Sequence, residues 1–321
     1  MTIDRTLGRT GIAVSPIGLG CMQFSQGQGL VGRMMRNLDQ ATANAIVKAS
    51  LEAGVNWFDT AELYGGGRSE QVLAAALVAN GKRDGDVVIA TKWNPFLRTA
   101  ASIERTIGAR KRALSPFRID LHQVHQPLSF SSVESQMDAM ADLAAAGDIR
   151  AVGVSNFSES RMRAAQAALA KRGLTLASNQ MQYSLLARGI ERNGVLEAAK
   201  ELGITIIAYS PLAQGLLTGK FHDDPVLLKG LGVRGLLPWF SKRNMERSRS
   251  LVTALKEIAS AHGAAPASVA LAWLITFHGD MVTAIPGATS LAQAASNAAA
   301  MQVRLTSDEL GRLDALSRDL R

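Results

Sequence analysis

Phe58-Asp59-Thr60-Ala61-Glu62-Leu63-Tyr64-Gly65 follows a short apolar run that reads as a β-strand, and it delivers an acid and a phenol at the strand's end. Ala90-Thr91-Lys92-Trp93 and Asp120-Leu121-His122-Gln123-Val124-His125 follow apolar runs in the same way and deliver a cation and an imidazole. Gly153-Val154-Ser155-Asn156 extends the series. In a parallel barrel the C-terminal ends of the strands meet on one face, where active sites are built. Asp59, Tyr64, Lys92 and His125 are therefore expected to gather there, and a phenol beside an ammonium and a carboxylate is a device for moving a proton. The pattern predicts an enzyme.

Working outward, β-rich runs at 55–59, 87–91, 119–125, 149–154, 177–182, 204–209, 281–285 and 301–304 alternate with helical patterns. The helical patterns include 38–53, 69–80, 131–146, 158–171 and 194–202. Eight strands with helices between them predict one (α/β)8 TIM barrel over residues 1–321. Residues 6–11 and 14–19 read as a hairpin capping the barrel bottom, and Thr306-Ser307-Asp308-Glu309 has the form of a capping box. Two irregular stretches, 23–37 and 213–245, are long enough to predict binding loops or lids.

The 321 residues are 47% hydrophobic and 19% charged, ample for a large core. A lone cysteine, Cys21, excludes an intramolecular disulfide and fits a reducing compartment. With no signal-like N-terminus and no apolar run of membrane-spanning length, the expected location is cytoplasmic. The net charge of +8 is scattered, with Arg110-Lys111-Arg112 the densest patch, so a nucleic-acid partner is not expected. A positive field favours an anionic ligand such as a phosphorylated cofactor.

A free phenol, with a pKa of about 10, releases its proton poorly near neutrality. Lys92 nearby would favour the phenolate, Asp59 would compensate the ammonium, and His125 would add a second donor toward the same oxygen. Taken singly, each residue has an ordinary alternative: a barrel ion pair, a loop aromatic, a core histidine. Four of them at successive strand ends make that alternative weak. His122 and His125 stand three apart on a strand, hence on opposite faces, and cannot share a metal ion. The other histidines lack partners at ligand spacing, and no metal is expected.

At these residues the chain resembles the aldo-keto reductases over essentially its whole length. The shared motifs are Gly18-Leu19-Gly20-Cys21-Met22, the four stretches above, Asn179-Gln180, Ala208-Tyr209-Ser210-Pro211-Leu212 and Ile285-Pro286-Gly287. The resemblance implies catalytic roles for Asp59, Tyr64, Lys92 and His125, and contacts of Cys21, Met22 and Asp59 with a nicotinamide cofactor. It further implies that Ser155, Asn156 and Gln180 bind the carboxamide and that Tyr209 stacks on the ring. Ser210, Pro211, Leu212, Gly215 and Lys220 would hold the pyrophosphate. That loop is not a Walker loop, and Gly18-x-Gly20 is not a Rossmann fingerprint. Gly287, Thr289, Gln293 and Asn297 would hold the adenosine end. Gly287 and Thr289 stand where relatives often carry a cation, and Arg234 either supplies that charge or is a solvated loop residue. Phe24, Trp93 and Phe96, with Tyr64 and His125, are candidates for an apolar substrate pocket. The implied activity is reduction of aldehydes or ketones, with NADP(H) favoured over NAD(H). The alternative is a cofactor-sensing regulator resembling potassium-channel β subunits, to which the long loop after Tyr209 is similar. Those subunits carry Asn where this chain has His125.

Overall fold

Two glycines decide where the barrel begins. A Cβ on Gly18 would lie 2.4 Å from the Trp57 ring, and one on Gly20 would lie 2.7 Å from the Ile285 carbonyl oxygen. Only a bare backbone fits there. The computed structural model describes residues 5–27, 38–318 and 320, except for the side chains of 233 and 234. Among them, β1 (Arg5–Thr6) and β2 (Ala13–Val14) pair antiparallel. Eight strands then run parallel in chain order: β3 (Leu19–Gly20), β4 (Trp57–Asp59), β5 (Val88–Trp93), β6 (Ile119–Val124), β7 (Ile149–Ser155), β8 (Leu176–Gln182), β9 (Thr205–Tyr209) and β10 (Val282–Ala284). Parallel bridges between Ile17 and Ala284 and between Gly20 and Gly287 join the two ends of the sheet.

Helices cover the outside. They are α1 (Gln40–Glu52), α2 (Arg68–Ala79), α3 (Ala101–Leu114), α4 (Val133–Ala145), α5 (Glu159–Ala170) and α6 (Val195–Leu202). Asp39, Ser132 and Ser158 cap α1, α4 and α5 by accepting from the third backbone N–H beyond them. After β9 the chain makes 3₁₀ turns and the short helices α7 (Lys220–Asp223) and α8 (Lys242–Arg247). It continues through α9 (Arg249–Ala261), α10 (Pro266–Thr276), α11 (Leu291–Ala299) and α12 (Ser307–Ser317), the last opened by the expected capping box. No single helix among the described residues is long and apolar enough to cross a membrane.

The (α/β)8 barrel and its hairpin cap are thus as the sequence indicates, with one strand reassigned. Residues 301–304 are not a strand. Met301, Gln302 and Val303 donate backbone hydrogen bonds to carbonyls three residues back, a turn leaving α11. Met301 and Val303 are buried, and that alternation mimics a strand. The eighth strand is instead β3, which begins at Leu19, the last residue of the stretch that reads from sequence as part of the hairpin.

The strands separate two cores. Inside, Trp57, Ala90, Leu121, Ala177, Ile207 and Ile285 form an apolar plug closed from below by Leu7, Ile12 and Val14 of the hairpin. Outside, a larger apolar layer packs strands against helices. Burial of this area drives folding. The plug stops one inward-facing position below Asp59, Lys92 and Gln123.

Candidate active site

The interior residues above the plug are polar. Asp59, at the end of β4, is buried, as is Lys92 near the end of β5. The Lys92 ammonium donates to Asp59 Oδ1, and to the carbonyl of Thr60 at 2.8 Å. Asp59 Oδ2 accepts from Gln180 Nε2 at 2.9 Å and from Gln123 Nε2 at 3.1 Å. Both carboxylate oxygens are occupied, which the burial of a charge requires.

Tyr64 lies in the turn after β4, its ring centre 5.1 Å from Lys92 Nζ and 5.6 Å from the His125 ring, edge to face. Burial raises the phenol above its ordinary value, and the opposing pull of Lys92 does not overcome it. The expectation of a lowered phenol is therefore reversed: desolvation wins, and Tyr64 holds its proton. Burial also opposes the charge on Lys92, but Asp59 and Tyr64 outweigh it and raise the ammonium. His125 is pushed down to about 3, first by burial and then by Lys92, so its imidazole is neutral. His122 also falls to about 3, by burial and by Arg110, on the opposite side of the strand.

A cavity of about 740 Å³ opens above these groups, in the range of roughly 300–1,000 Å³ typical of ligand sites. Cys21, Met22, Asp59, Tyr64, His125, Ser155, Asn156, Gln180 and Tyr209 line it, as do Ser210, Pro211, Leu212, Gly215 and Lys220. So do Gly287, Thr289, Gln293 and Asn297. Side-chain and backbone hydrogen bonds tie the middle of this wall together. Tyr209 donates to Asn156 Oδ1 at 2.9 Å, Asn156 Nδ2 to Ser155 Oγ at 3.0 Å, and Ser155 Oγ to the Gln180 carbonyl at 3.0 Å. Asn156, Ser210, Ala213 and Gln214 all have positive φ (60°, 50°, 47° and 59°). Such backbone strain in non-glycine residues clusters at functional sites.

The wall also fits a dinucleotide. The left-handed residues 213–215 bring the loop against Lys220, whose ammonium beside the cavity would meet an anionic group such as a cofactor phosphate. At the far end Thr289 stands two residues before α11, and Gln23 lies against Gly287, where any Cβ would sit 2.3 Å from its amide nitrogen. The buried Gln23 Oε1 has no protein partner among the described residues, and Gln23 lines the cavity. Gln23 and Gln123 do not stand out in the sequence. A signal for Gln123 exists all the same, since it alternates with Leu121 and His125 on the inward face.

Three aromatic candidates are not on the cavity wall. Trp93 is fully buried behind β5 and donates its indole N–H to Ser102 at 3.0 Å. Lys92 points inward, so its neighbour must point outward. Phe24 is buried in the strand–helix layer, and Phe96 is exposed to solvent, 60% accessible. The side chain of Arg234 and most of the 23–37 loop, residues 28–37, lie outside the described residues.

Comparison with known proteins agrees with this geometry. Residues 16–318 match the Aldo/keto reductase family. An uncharacterised oxidoreductase of Mycobacterium tuberculosis is 41% identical over 308 residues, 96% of this chain and 91% of the relative. An aldo-keto reductase of Bacillus subtilis, YhdN, is 34% identical over 84% of this chain and 80% of its own. Among solved structures, an aldo-keto reductase from Klebsiella pneumoniae in complex with NADPH superposes with a TM-score of 0.74 at 28% identity, covering 99% of this chain and 96% of that one. Glycerol dehydrogenase from Gluconobacter oxydans gives a TM-score of 0.80 at 26% identity, over 98% and 94%. With the match spanning the barrel and its polar face, the chain is an oxidoreductase of the aldo-keto reductase family.

Proposed function

We propose that this chain reduces the carbonyl of an aldehyde or ketone with NADPH, using Tyr64 as proton donor and Asp59, Lys92 and His125 as its catalytic partners. The observation that carries the reading is the protonated, half-buried phenol of Tyr64 on the cavity wall, with the buried, charged Lys92 beneath its ring. When bound, reduced nicotinamide supplies the hydride. Tyr64 gives its proton to the carbonyl oxygen, and Lys92 gains most from the phenolate at the moment it forms. Asp59, fixed by Gln123 and Gln180, keeps Lys92 charged. The neutral imidazole of His125 contributes an N–H donor without competing for the proton. In the reverse direction the same groups oxidise an alcohol.

Cofactor binding is assigned to Cys21, Met22, Ser155, Asn156, Gln180 and Tyr209 around the nicotinamide, to residues 210–220 around the phosphates, and to Gly287, Thr289, Gln293 and Asn297 around adenosine. The NADPH in the Klebsiella structure supports the choice of cofactor. Among the described wall residues Lys220 is the one Lys or Arg, and Thr289 and Gln293 are neutral. NADPH is therefore favoured over NADH by a narrow margin, since charged contacts are worth roughly twice neutral ones. Glycerol, the substrate in the name of the Gluconobacter relative, is an alcohol and belongs in the reverse assay with NADP+.

The test follows loss of NADPH absorbance across a panel of carbonyl compounds. Repeated turnover supports the reductase, whereas tight cofactor binding with at most one slow turnover points to a cofactor-sensing regulator. Dissociation constants for NADPH and NADH, from quenching of protein fluorescence, check the preference. Tighter NADH binding overturns it.

A further inference from the structure

Tyr64 sits in a turn with few hydrogen bonds of its own: its N–H donates to the Ala61 carbonyl at 3.1 Å and its carbonyl accepts from the Ser69 N–H at 3.1 Å. Gly65, Gly66 and Gly67 follow it, all with positive φ (69°, 64° and 96°), and three consecutive glycines impose little conformational preference of their own. Contacts from outside add to these in fixing the turn, beginning with the Glu62 N–H, which donates to the Lys92 carbonyl at 3.3 Å. Behind the barrel wall, on the side away from the cavity, lies a buried charged cluster that grips the turn from both ends.

Its centre is Arg110 of α3, a buried guanidinium. Arg110 Nη1 donates to Glu62 Oε2, two residues before Tyr64, and Arg110 Nε faces Glu70 Oε2 at 2.8 Å, six residues after it. Both carboxylates are buried. Each also reaches the Lys92 strand: Glu62 Oε1 accepts from the backbone N–H of Asn94 at 2.9 Å, and Glu70 accepts from the Thr91 hydroxyl. Arg98 adds a second cation on Glu62. Gly67 passes so close that a Cβ there would lie 3.0 Å from Arg110 Nη2. Glu62 and Glu70, on either side of Tyr64, thus reach the strand carrying Lys92, and one planar, forked cation holds the two carboxylates together.

We propose that Arg110 is a positioning residue for the reaction, setting the distance between Tyr64 and Lys92 through Glu62 and Glu70. The inference rests on Tyr64 being the proton donor. Arg110 touches neither the cavity nor the reacting groups, so it acts only through the turn. Lysine cannot replace it, because an ammonium lacks the fork that serves two carboxylates at once.

The experiment is a double-mutant cycle between Arg110→Lys and Tyr64→Phe in the full chain. Arg110→Lys is expected to lower kcat on the order of 10- to 100-fold, the effect of a small misplacement of a reacting group. NADPH dissociation should be unchanged. In the Tyr64→Phe background the same substitution should cost nothing further in turnover. Glu70→Gln, which keeps the size and fixes the neutral state of a carboxyl that burial raises to about 7, should give a smaller loss with the same dependence on Tyr64, and it serves if Arg110→Lys does not fold. Unchanged kcat with a lowered melting temperature, or a full additive loss on top of Tyr64→Phe, overturns the proposal. Near-normal turnover of Tyr64→Phe alone overturns the proton-donor reading instead, and the clasp's catalytic role with it.

Discussion

The lower and upper halves of the barrel interior are made by the same strands, one inward-facing position apart. Trp57 is followed by Asp59 on β4, Ala90 by Lys92 on β5, Leu121 by Gln123 on β6 and Ile207 by Tyr209 on β9. A rise of about 6.6 Å along each strand separates close-packed apolar side chains from a charged, hydrogen-bonded constellation. The lower layer excludes water and stabilises the fold. The upper layer is costly, because an ion pair out of water is not in itself a source of stability. The apolar plug therefore supports the site from beneath, and stability and chemistry should separate by layer.

Tyr64→Phe should break the upper layer most sharply. It removes one hydroxyl and should lower turnover by roughly two orders of magnitude or more, with NADPH binding and melting temperature preserved. Lys92→Met should nearly abolish turnover and also destabilise the protein, by about 3–5 kcal/mol, because Asp59 is left buried without its cation. Adding Asp59→Asn should recover part of that stability in denaturant titration but no activity. Fully additive losses would mean the two residues do not act as one unit.

Leu121→Ala tests the lower layer. The expected cost is about 2–5 kcal/mol of stability, with kcat of the folded enzyme nearly unchanged. A large fall in kcat there would show that the two layers are not separable. Gln123→Met lies at the boundary and removes one of the two amide donors to Asp59 Oδ2. A loss of about tenfold in kcat, smaller than for Tyr64→Phe, is expected, with the KM for NADPH unmoved.

The smallest expected effect is that of pH on rate. His125 stays neutral down to about 3 and the Tyr64 phenol is raised, so neither group should give turnover a limb between about pH 5 and 9. A limb near pH 7 would report Glu70 of the clasp, whose carboxyl burial raises to about 7, and Glu70→Gln should remove it; a limb that persists in that variant would mean that His125 takes up a proton during the reaction. Stability has a different profile. His122 and His125 are held neutral below their unfolded value of about 6.5, so their contribution is complete above that pH and is lost as pH falls toward 3. Melting curves of His122→Phe against pH should show a weaker decline over that window.

The polar ends of the strands are legible in the sequence because Asp59, Lys92 and His125 interrupt apolar runs, and a charge that closes such a run marks the rim of a barrel. β3 is not legible: two residues, one of them glycine, carry no periodicity. At 301–304 the period-two burial of a helix exit looks like a strand. Trp93 suggests a pocket residue by its place beside Lys92, although alternation along β5 already turns it away. The Arg110 clasp joins residues 48 apart in sequence, Glu62 and Arg110, and nothing local in either stretch announces their contact.

The hairpin plug gives the barrel one more property. Closed by Leu7, Ile12 and Val14, the interior is a cup rather than a tube, its base an apolar seal. If Tyr64 is the proton donor proposed above, each proton it surrenders must be resupplied from water on the cavity side, along the path by which product leaves. Recharging the acid and emptying the site therefore share one doorway, and a substrate loop that slows departure also delays readiness for the next cycle.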